Sequence, residues 1–242
     1  MRYAIISDVH SNYEALTAVL EDIRKQKVDD IICLGDIVGY GASPKECINL
    51  IKQCCSQIII GNHDHAAIGL TDTDYFNFNA RNAIKWTSQQ LTDEEKEYFS
   101  NLPFYSKRDD LIFTHASLYK PQDWGYILDE YQALASFEQM KDSFICFIGH
   151  SHVPLAFIKK QYLSFMWDIK EFVLEKNNQY IINVGSVGQP RDGIKDAAYV
   201  IYDSSKLLIN LIRVSYDIET AQKKIIGAGL PKFLAERIQY GR

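Results

Sequence analysis

A chain of 242 residues can bury a substantial core, and one domain spanning residues 1–242 is expected. A formal net charge of -5 and a pI near 5.7 leave no basic footprint, which argues against a sequence-independent binder of nucleic acid duplexes. No stretch approaches the ~20 apolar residues of a membrane span, Met1-Arg2-Tyr3 runs directly into a strand pattern, and Cys33, Cys47, Cys54, Cys55 and Cys146 match no zinc knuckle, so a cytoplasmic protein with reduced thiols is expected.

Tyr3 to Ser7 reads as a short strand, followed at once by Asp8-Val9-His10. Strand alternation would point Asp8 and His10 the same way, as two ligands of one ion require. The alternative for Asp8 is a helix cap. Asn12 either caps the next helix, whose apolar positions are Leu16, Val19, Leu20 and Ile23, or faces a ligand. Ile31 to Leu34 forms a second strand, closed by Gly35-Asp36. A helical crossover between parallel strands brings Asp8 and Asp36 together, and two ionised carboxylates that close repel unless a cation lies between them. The following Gly39-Tyr40-Gly41 loop could line a pocket.

Pro44 opens a helix with Cys47, Ile48 and Ile51 on its buried face. The run Ile58-Ile59-Ile60 then ends at Gly61-Asn62-His63-Asp64-His65, read as a loop at a strand's carboxyl edge. Residues 66–104 form a helical, cap-like insertion, with Thr92 to Glu95 as a capping box. Within it Arg81 could clamp phosphate and Phe76, Phe78 or Trp86 could stack on a base; the alternative for the aromatics is plain core. Leu111 to Thr114 is a strand ending at His115, and Phe144 to Ile148 is one ending at Gly149-His150-Ser151-His152. All six histidines thus follow apolar strand-like runs, and none lies in a helical pattern.

The remainder reads as a second sheet. Phe172 to Leu174 is expected to turn at Asn177-Asn178 into the returning strand Tyr180 to Val184, and Ala198 to Tyr202 and Leu207 to Ile212 close that sheet. The glycine-rich loop Gly185 to Gly193 carries Arg191, either a phosphate contact or an ion-pair partner of Asp192. From Asp217 the tail is helical, interrupted at Gly229 and Pro231.

Asp8, His10, Asp36, Asn62, His115, His150 and His152 offer oxygen and nitrogen ligands without a thiolate, a set suited to two divalent ions such as manganese, iron or zinc. In their order the motifs Asp8-Val9-His10, Gly35-Asp36, Gly61-Asn62-His63-Asp64, His115 and Gly149-His150-Ser151-His152 resemble those of the calcineurin-like metallophosphoesterase family. The resemblance implies an α/β fold, a four-layer αββα sandwich of two mixed sheets. It implies that Asp8, His10 and His152 hold one ion, that Asn62, His115 and His150 hold the other, and that Asp36 bridges them. His63 would be general acid or transition-state stabiliser, Asp64 would orient it, and a metal-bridging hydroxide would attack phosphorus in line. The Gly35 to Gly41 and Gly185 to Arg191 segments are similar to those of the small bacterial phosphodiesterase and diadenosine-tetraphosphatase-like branch. Tyr40 and Asp64 stand near positions where protein phosphatases carry arginine and glutamate, which argues against protein substrates. The expected substrate is a small phosphorylated molecule, a dinucleoside polyphosphate such as diadenosine tetraphosphate foremost, with Asn12, Tyr40, Arg81 and Arg191 as candidate contacts. The alternatives are a cyclic-nucleotide or general phosphodiesterase, a phosphomonoesterase, a protein phosphatase, or a non-catalytic binding scaffold.

Overall fold

Alternation in β1 (Arg2–Ile6) sends Ala4 and Ile6 to one side of the strand and Tyr3 and Ile5 to the other, and both sides are buried. A strand apolar on both faces belongs inside a layered structure. The computed structural model describes residues 1–167 and 169–242. After β1 come α1 (Tyr13–Lys25), β2 (Asp30–Cys33), α2 (Pro44–Cys54), β3 (Gln57–Ile58), α3 (Asn62–Ala67), α4 (Phe78–Gln90) and α5 (Asp93–Ser100). Next are β4 (Tyr105–Arg108), β5 (Leu111–Thr114), a 3-10 turn at Pro121–Asp123, α6 (Glu130–Met140), β6 (Ile145–Ile148), β7 (Leu155–Lys159) and β8 (Leu163–Trp167). The chain ends with β9 (Glu171–Val173), β10 (Gln179–Asn183), β11 (Ala197–Asp203), β12 (Leu208–Val214), α7 (Ile218–Gly227) and α8 (Lys232–Ile238).

The strands form two six-stranded mixed sheets, ordered β3-β2-β1-β11-β12-β9 and β4-β5-β6-β10-β7-β8. Tyr3, Ile5, Ile32 and Leu34 of the first meet Phe113, Phe147, Tyr180 and Ile182 of the second in the central core. Full burial of each such side chain stabilises the fold by about 1.5–3 kcal/mol. Outside the first sheet, Leu16, Val19 and Ile23 of α1 and Ile48 and Ile51 of α2 cover Ala4, Ile6 and Cys33. Outside the second, Ala133, Phe137 and Met140 of α6 cover Ile112, Cys146 and Phe157. The resulting layers are the αββα sandwich. Among the described residues no helix is long and apolar enough to cross a membrane.

The structure departs from the sequence reading in the second half of the chain. No hairpin joins 172–174 to 180–184: β9 pairs antiparallel with β12, Phe172 opposite Ile209, whereas β10 lies between β6 and β7. The intervening turn passes between the sheets and is fixed by the Tyr180 hydroxyl, which accepts hydrogen bonds from the Glu175 backbone N–H (2.8 Å) and the Asn178 amide (3.2 Å). Strands β11 and β12 complete the first sheet rather than the second, because β11 pairs with β1 and Tyr202 stacks on Tyr3 with ring centroids 6.3 Å apart. The Gly61 to His65 segment is also not a loop. It starts α3, so His63 and His65 are helical, and Asp64 Oδ2 accepts the Gly61 N–H at 3.1 Å.

Candidate metal centre and active site

Strands β1 and β2 run parallel to each other, as do β5 and β6, and their ends bring Asp8, His10, Asp36, His115, His150 and His152 together beside the start of α3. The Asp8 N–H donates to the Gly35 carbonyl (3.0 Å), and the His10 N–H to the Asp36 carbonyl (2.9 Å), which binds the two loops together. Asp8, His10, Asp36, His150 and His152 have φ of +54°, +49°, +51°, +68° and +62°. Each non-glycine residue in this left-handed region costs on the order of 1–3 kcal/mol, and such strain persists where surrounding packing over-determines it, typically at functional sites. The convergence of Asp8 and His10 therefore arises from two left-handed turns rather than from the strand alternation anticipated. Close approach also needs missing side chains: a β-carbon on Gly149 would lie 2.5 Å from Asp8 Oδ2, and one on Gly61 would collide with Asp36 Oδ1.

The imidazole tautomers follow from their partners. Nδ1 of His10 faces the Val38 carbonyl (3.2 Å), that of His115 the Leu34 carbonyl (2.9 Å), and that of His152 the Gln189 carbonyl (2.5 Å). A carbonyl only accepts, so Nδ1 carries the hydrogen and Nε2 of a neutral ring presents a lone pair. The Nε2 atoms of His10 and His152 meet at 3.1 Å. Two neutral acceptors hold that distance with a cation between them. Asp8 Oδ1 and His150 Nε2 are buried without a hydrogen-bond partner, a state that is costly in a protein interior unless a further group satisfies them. Ligand atoms of Asp8, His10, Asp36 and His152 all lie within 4.8 Å of one another, as do those of Asp36, His115 and His150. Asn62 Oδ1 joins the latter group, 3.1 Å from His115 Nε2. Oxygen and imidazole donors in this mixture fit borderline or hard divalent ions.

Charge distribution agrees with that fit. Burial lifts the Asp8 carboxyl to about 7, against the attraction of His115 and with the repulsion of Asp36. Burial acts on Asp36 too, but His115, His63 and His10 outweigh it and hold its carboxyl well below the usual range. Burial would lower His115, yet Asp36, 3.3 Å from Nε2, and Asp8 raise it to about 9. Burial, aided by Arg191 and neighbouring imidazoles, pushes His10 and His152 well down and His150 to about 3. At neutral pH three imidazoles thus offer lone pairs, while His115 carries a proton that an ion would displace.

His63 is buried, its backbone N–H donates to Asp36 Oδ1 at 2.8 Å, and its Nδ1 has no partner. Its ring is held between Tyr40 (centroids 4.4 Å apart), His10 (4.8 Å) and Phe76 (5.2 Å). Asp64 does not orient this ring. Its Oδ1 accepts the Val38 N–H (3.0 Å) and its Oδ2 the Gly61 N–H, so it joins the start of α3 to the loop after Asp36.

A cavity of about 310 Å³ opens over the centre, lined in part by Asn62, His63, His150, Tyr40, Phe76 and Arg191. Arg191 Nη2 donates to Gln189 Oε1 (2.9 Å) and to the Tyr40 hydroxyl (3.2 Å), while Asp192 pairs with Arg213 instead. Asn12 is a helix cap: Oδ1 accepts the Ala15 N–H at 3.1 Å and Nδ2 donates to the Gly188 carbonyl at 2.9 Å. Arg81 is not in this cavity; it donates to the carbonyls of Thr73 (3.1 Å) and Asp74 (2.8 Å). Phe78 is exposed, and His65 bonds Thr71 Oγ1 at 2.7 Å. Asp123, Trp124 and Tyr126 also line the cavity, Tyr126 stacking on His150 with centroids 4.0 Å apart. The sequence reading passed over them; the dense Trp124-Gly125-Tyr126 stretch soon after His115 was the available signal.

Comparison with known proteins agrees with this geometry. A family profile described as the calcineurin-like phosphoesterase superfamily domain matches residues 1–206. The chain is 40% identical to the uncharacterized protein MJ0912 of Methanocaldococcus jannaschii, covering 99% of this chain and 98% of that protein. It is 41% identical to a metallophosphoesterase from Sphaerobacter thermophilus of known crystal structure, with a TM-score of 0.88 and coverage of 100% and 99%. The hypothetical protein PH1004 from Pyrococcus horikoshii shares the fold at 22% identity, with a TM-score of 0.82 and coverage of 100% and 98%. The chain belongs to the calcineurin-like phosphoesterase superfamily and is a metal-dependent phosphoesterase, a hydrolase.

Proposed function

We propose that this enzyme hydrolyses a small phosphodiester or phosphoanhydride with the help of two divalent ions, manganese, iron or zinc. The observation that carries the reading is the shared Asp36: its carboxylate belongs to both ligand groups, Asp8, His10 and His152 on one side and His115 and His150 on the other. Asn62 completes the second set. When bound, such a pair of ions supplies Lewis acidity, which activates water near neutral pH and offsets negative charge on phosphoryl oxygens.

The protein's own contribution is positioning and proton management. Burial, opposed by Asp36 and aided by Arg191 and His115, pushes His63 down to about 4, so its ring is neutral and carries one N–H. In that state it serves as a hydrogen-bond donor to a phosphoryl or leaving-group oxygen in the transition state, fixed in place by Tyr40 and Phe76. Arg191 supplies a fixed positive charge for a further phosphoryl oxygen. In the overall reaction the oxygen of water ends on phosphorus, the ester or anhydride P–O bond breaks, and the leaving oxygen takes up a proton.

A cavity of about 310 Å³ with aromatic walls is at the small end of the ~300–1,000 Å³ typical of ligand sites. It suits one nucleoside-sized group, which favours a nucleotide; the likeness of the Gly35 to Gly41 and Gly185 to Arg191 segments to the diadenosine-tetraphosphatase-like branch narrows the choice to a dinucleoside polyphosphate such as diadenosine tetraphosphate. Five free cysteines accord with action in the cytoplasm. The test is a substrate panel on protein stripped of metal and reloaded with manganese, iron or zinc, with products resolved by chromatography. The reading predicts metal-dependent cleavage of the dinucleoside polyphosphate. If a simple diester or monoester is cleaved and the polyphosphate is not, the substrate assignment is wrong; if nothing is cleaved with any metal, the catalytic reading fails.

A further inference from the structure

A second hollow of about 580 Å³ lies beside the first, between the segment following β5 and helix α6. Asp123 and Tyr126 line both, so the two spaces adjoin along one rim. The outer hollow is walled by Tyr119, Lys120, Tyr131 and Leu134 in addition. Its aromatic rings are left open to solvent: Tyr131 is 84% exposed, Tyr126 47% and Tyr119 45%. Tyrosines that are merely part of a core do not show such exposure, and planar groups on a rim are what a stacking ligand uses.

The backbone here is also held against its preference. The 3-10 turn that carries Asp123 is bounded by Lys120 at φ +49° and Trp124 at φ +54°, both non-glycine residues in the left-handed region. Trp124 is tied across the cavity mouth by its indole N–H to Thr71 Oγ1 (3.3 Å). This places a carboxylate at the junction of the two hollows with Lys120 beside it. A carboxylate there is suited to accept hydrogen bonds from a sugar diol, and the ammonium to accompany a phosphate chain.

We infer that the outer hollow is a second substrate subsite, which takes the far nucleoside of a two-armed substrate while the near one occupies the cavity over the metal centre. The inference rests on the proposed phosphohydrolase reading and deepens it: the preferred substrate carries an aromatic group at both ends of a phosphate linkage. Tyr119 and Tyr131 stack the far base, Asp123 meets its ribose, and Tyr126, packed on His150, separates the two arms. Tyr119 and Tyr131 become specificity-determining residues that touch only the part of the substrate remote from the reacting phosphorus.

The test compares wild type with the Tyr119→Ala/Tyr131→Ala double variant. Two substrates are used with metal-loaded enzyme: diadenosine tetraphosphate, which has two arms, and methyl p-nitrophenyl phosphate, which has one. The double variant is expected to raise KM for the two-armed substrate by about tenfold, as loss of base stacking does, with kcat and the one-armed reaction unchanged. Calorimetric binding of diadenosine tetraphosphate to the metal-free protein should weaken by a similar factor, a readout independent of turnover. Equal kinetics on both substrates together with unchanged binding would overturn the subsite, as would an effect confined to the oligomeric state in sedimentation, which would mark the tyrosines as a contact with a second copy. Failure of wild type to cleave either substrate would instead overturn the phosphohydrolase reading, while the binding measurement still decides the subsite.

Discussion

Replacing Asp36 with asparagine preserves shape but removes the charge on which both ligand groups depend. An amide oxygen can still accept the His63 N–H now bound by Oδ1 at 2.8 Å, so the start of α3 should remain in place. What changes is the environment of His115, whose Nε2 lies 3.3 Å from Asp36 Oδ2, and of His10 at 3.5 Å. In metal-free protein His115 is raised from 6.5 to about 9, chiefly by Asp36 working against burial. A folded value above the unfolded one gives stability that is fully present below pH 6.5 and lost as pH rises through about 9. At one pKa unit per 1.36 kcal/mol that is at most ~3 kcal/mol. Relief of the buried Asp36 charge offsets part of the loss, so the variant should be about 2–3 kcal/mol less stable than wild type at pH 6, with the gap closing above pH 9. Urea denaturation of chelator-treated proteins at pH 6 and pH 10 measures this, and mass-spectrometric metal analysis of the untreated variant should find its bound metal lost. An equal stability gap at both pH values, combined with unchanged metal content, would refute the reasoning.

Other consequences are equally concrete. His63→Ala should lower kcat by about 10²- to 10⁴-fold, the range for loss of a positioned acid–base or donor group, while metal content stays at the wild-type level; joint loss of both would remove His63 from the chemistry. Metal affinity should rise with pH between about 6 and 9, because ions must displace protons from Asp8, near 7, and from His115, near 9. Calorimetry in buffers of different ionisation enthalpy would report the released protons, and a flat profile with none released would contradict the ligand assignment. Arg191→Ala should raise KM several-fold, whereas Arg81→Ala, whose guanidinium is committed to the Thr73 and Asp74 carbonyls, should leave kcat/KM unchanged. Steady-state kinetics of the two variants separates these outcomes.

The parts of the molecule legible in the sequence were those set by local pattern. Apolar runs ending in Asp, His or Asn marked the strands that feed the site, and helical spacing marked Leu16, Val19, Leu20 and Ile23 as the buried face of α1. Sheet membership was not legible after residue 155, because β9, β10, β11 and β12 all show strand-like composition and their pairing is decided at long range, as between Tyr3 and Tyr202. The left-handed backbone at Asp8, Asp36 and His152 was hidden for a related reason: aspartate and histidine tolerate positive φ better than most residues, but their identity does not say where it occurs, and tertiary hydrogen bonds such as Asp8 N–H to the Gly35 carbonyl enforce it. Asp64 illustrates a third limit. Adjacency to His63 suggested that it orients the imidazole, but one residue along a helix turns a side chain by about 100°, and its carboxylate meets the Val38 and Gly61 N–H groups instead. Tyr126 escaped notice because its importance comes from stacking on His150, a contact between segments far apart in the chain.

The central claim is that Asp36 stands between two metal positions, and anomalous scattering from manganese-loaded crystals tests it most directly. The account predicts two anomalous peaks flanking the Asp36 carboxylate, one among Asp8, His10 and His152 and the other among Asn62, His115 and His150. A single peak, or peaks that leave Asp36 unligated, would contradict it.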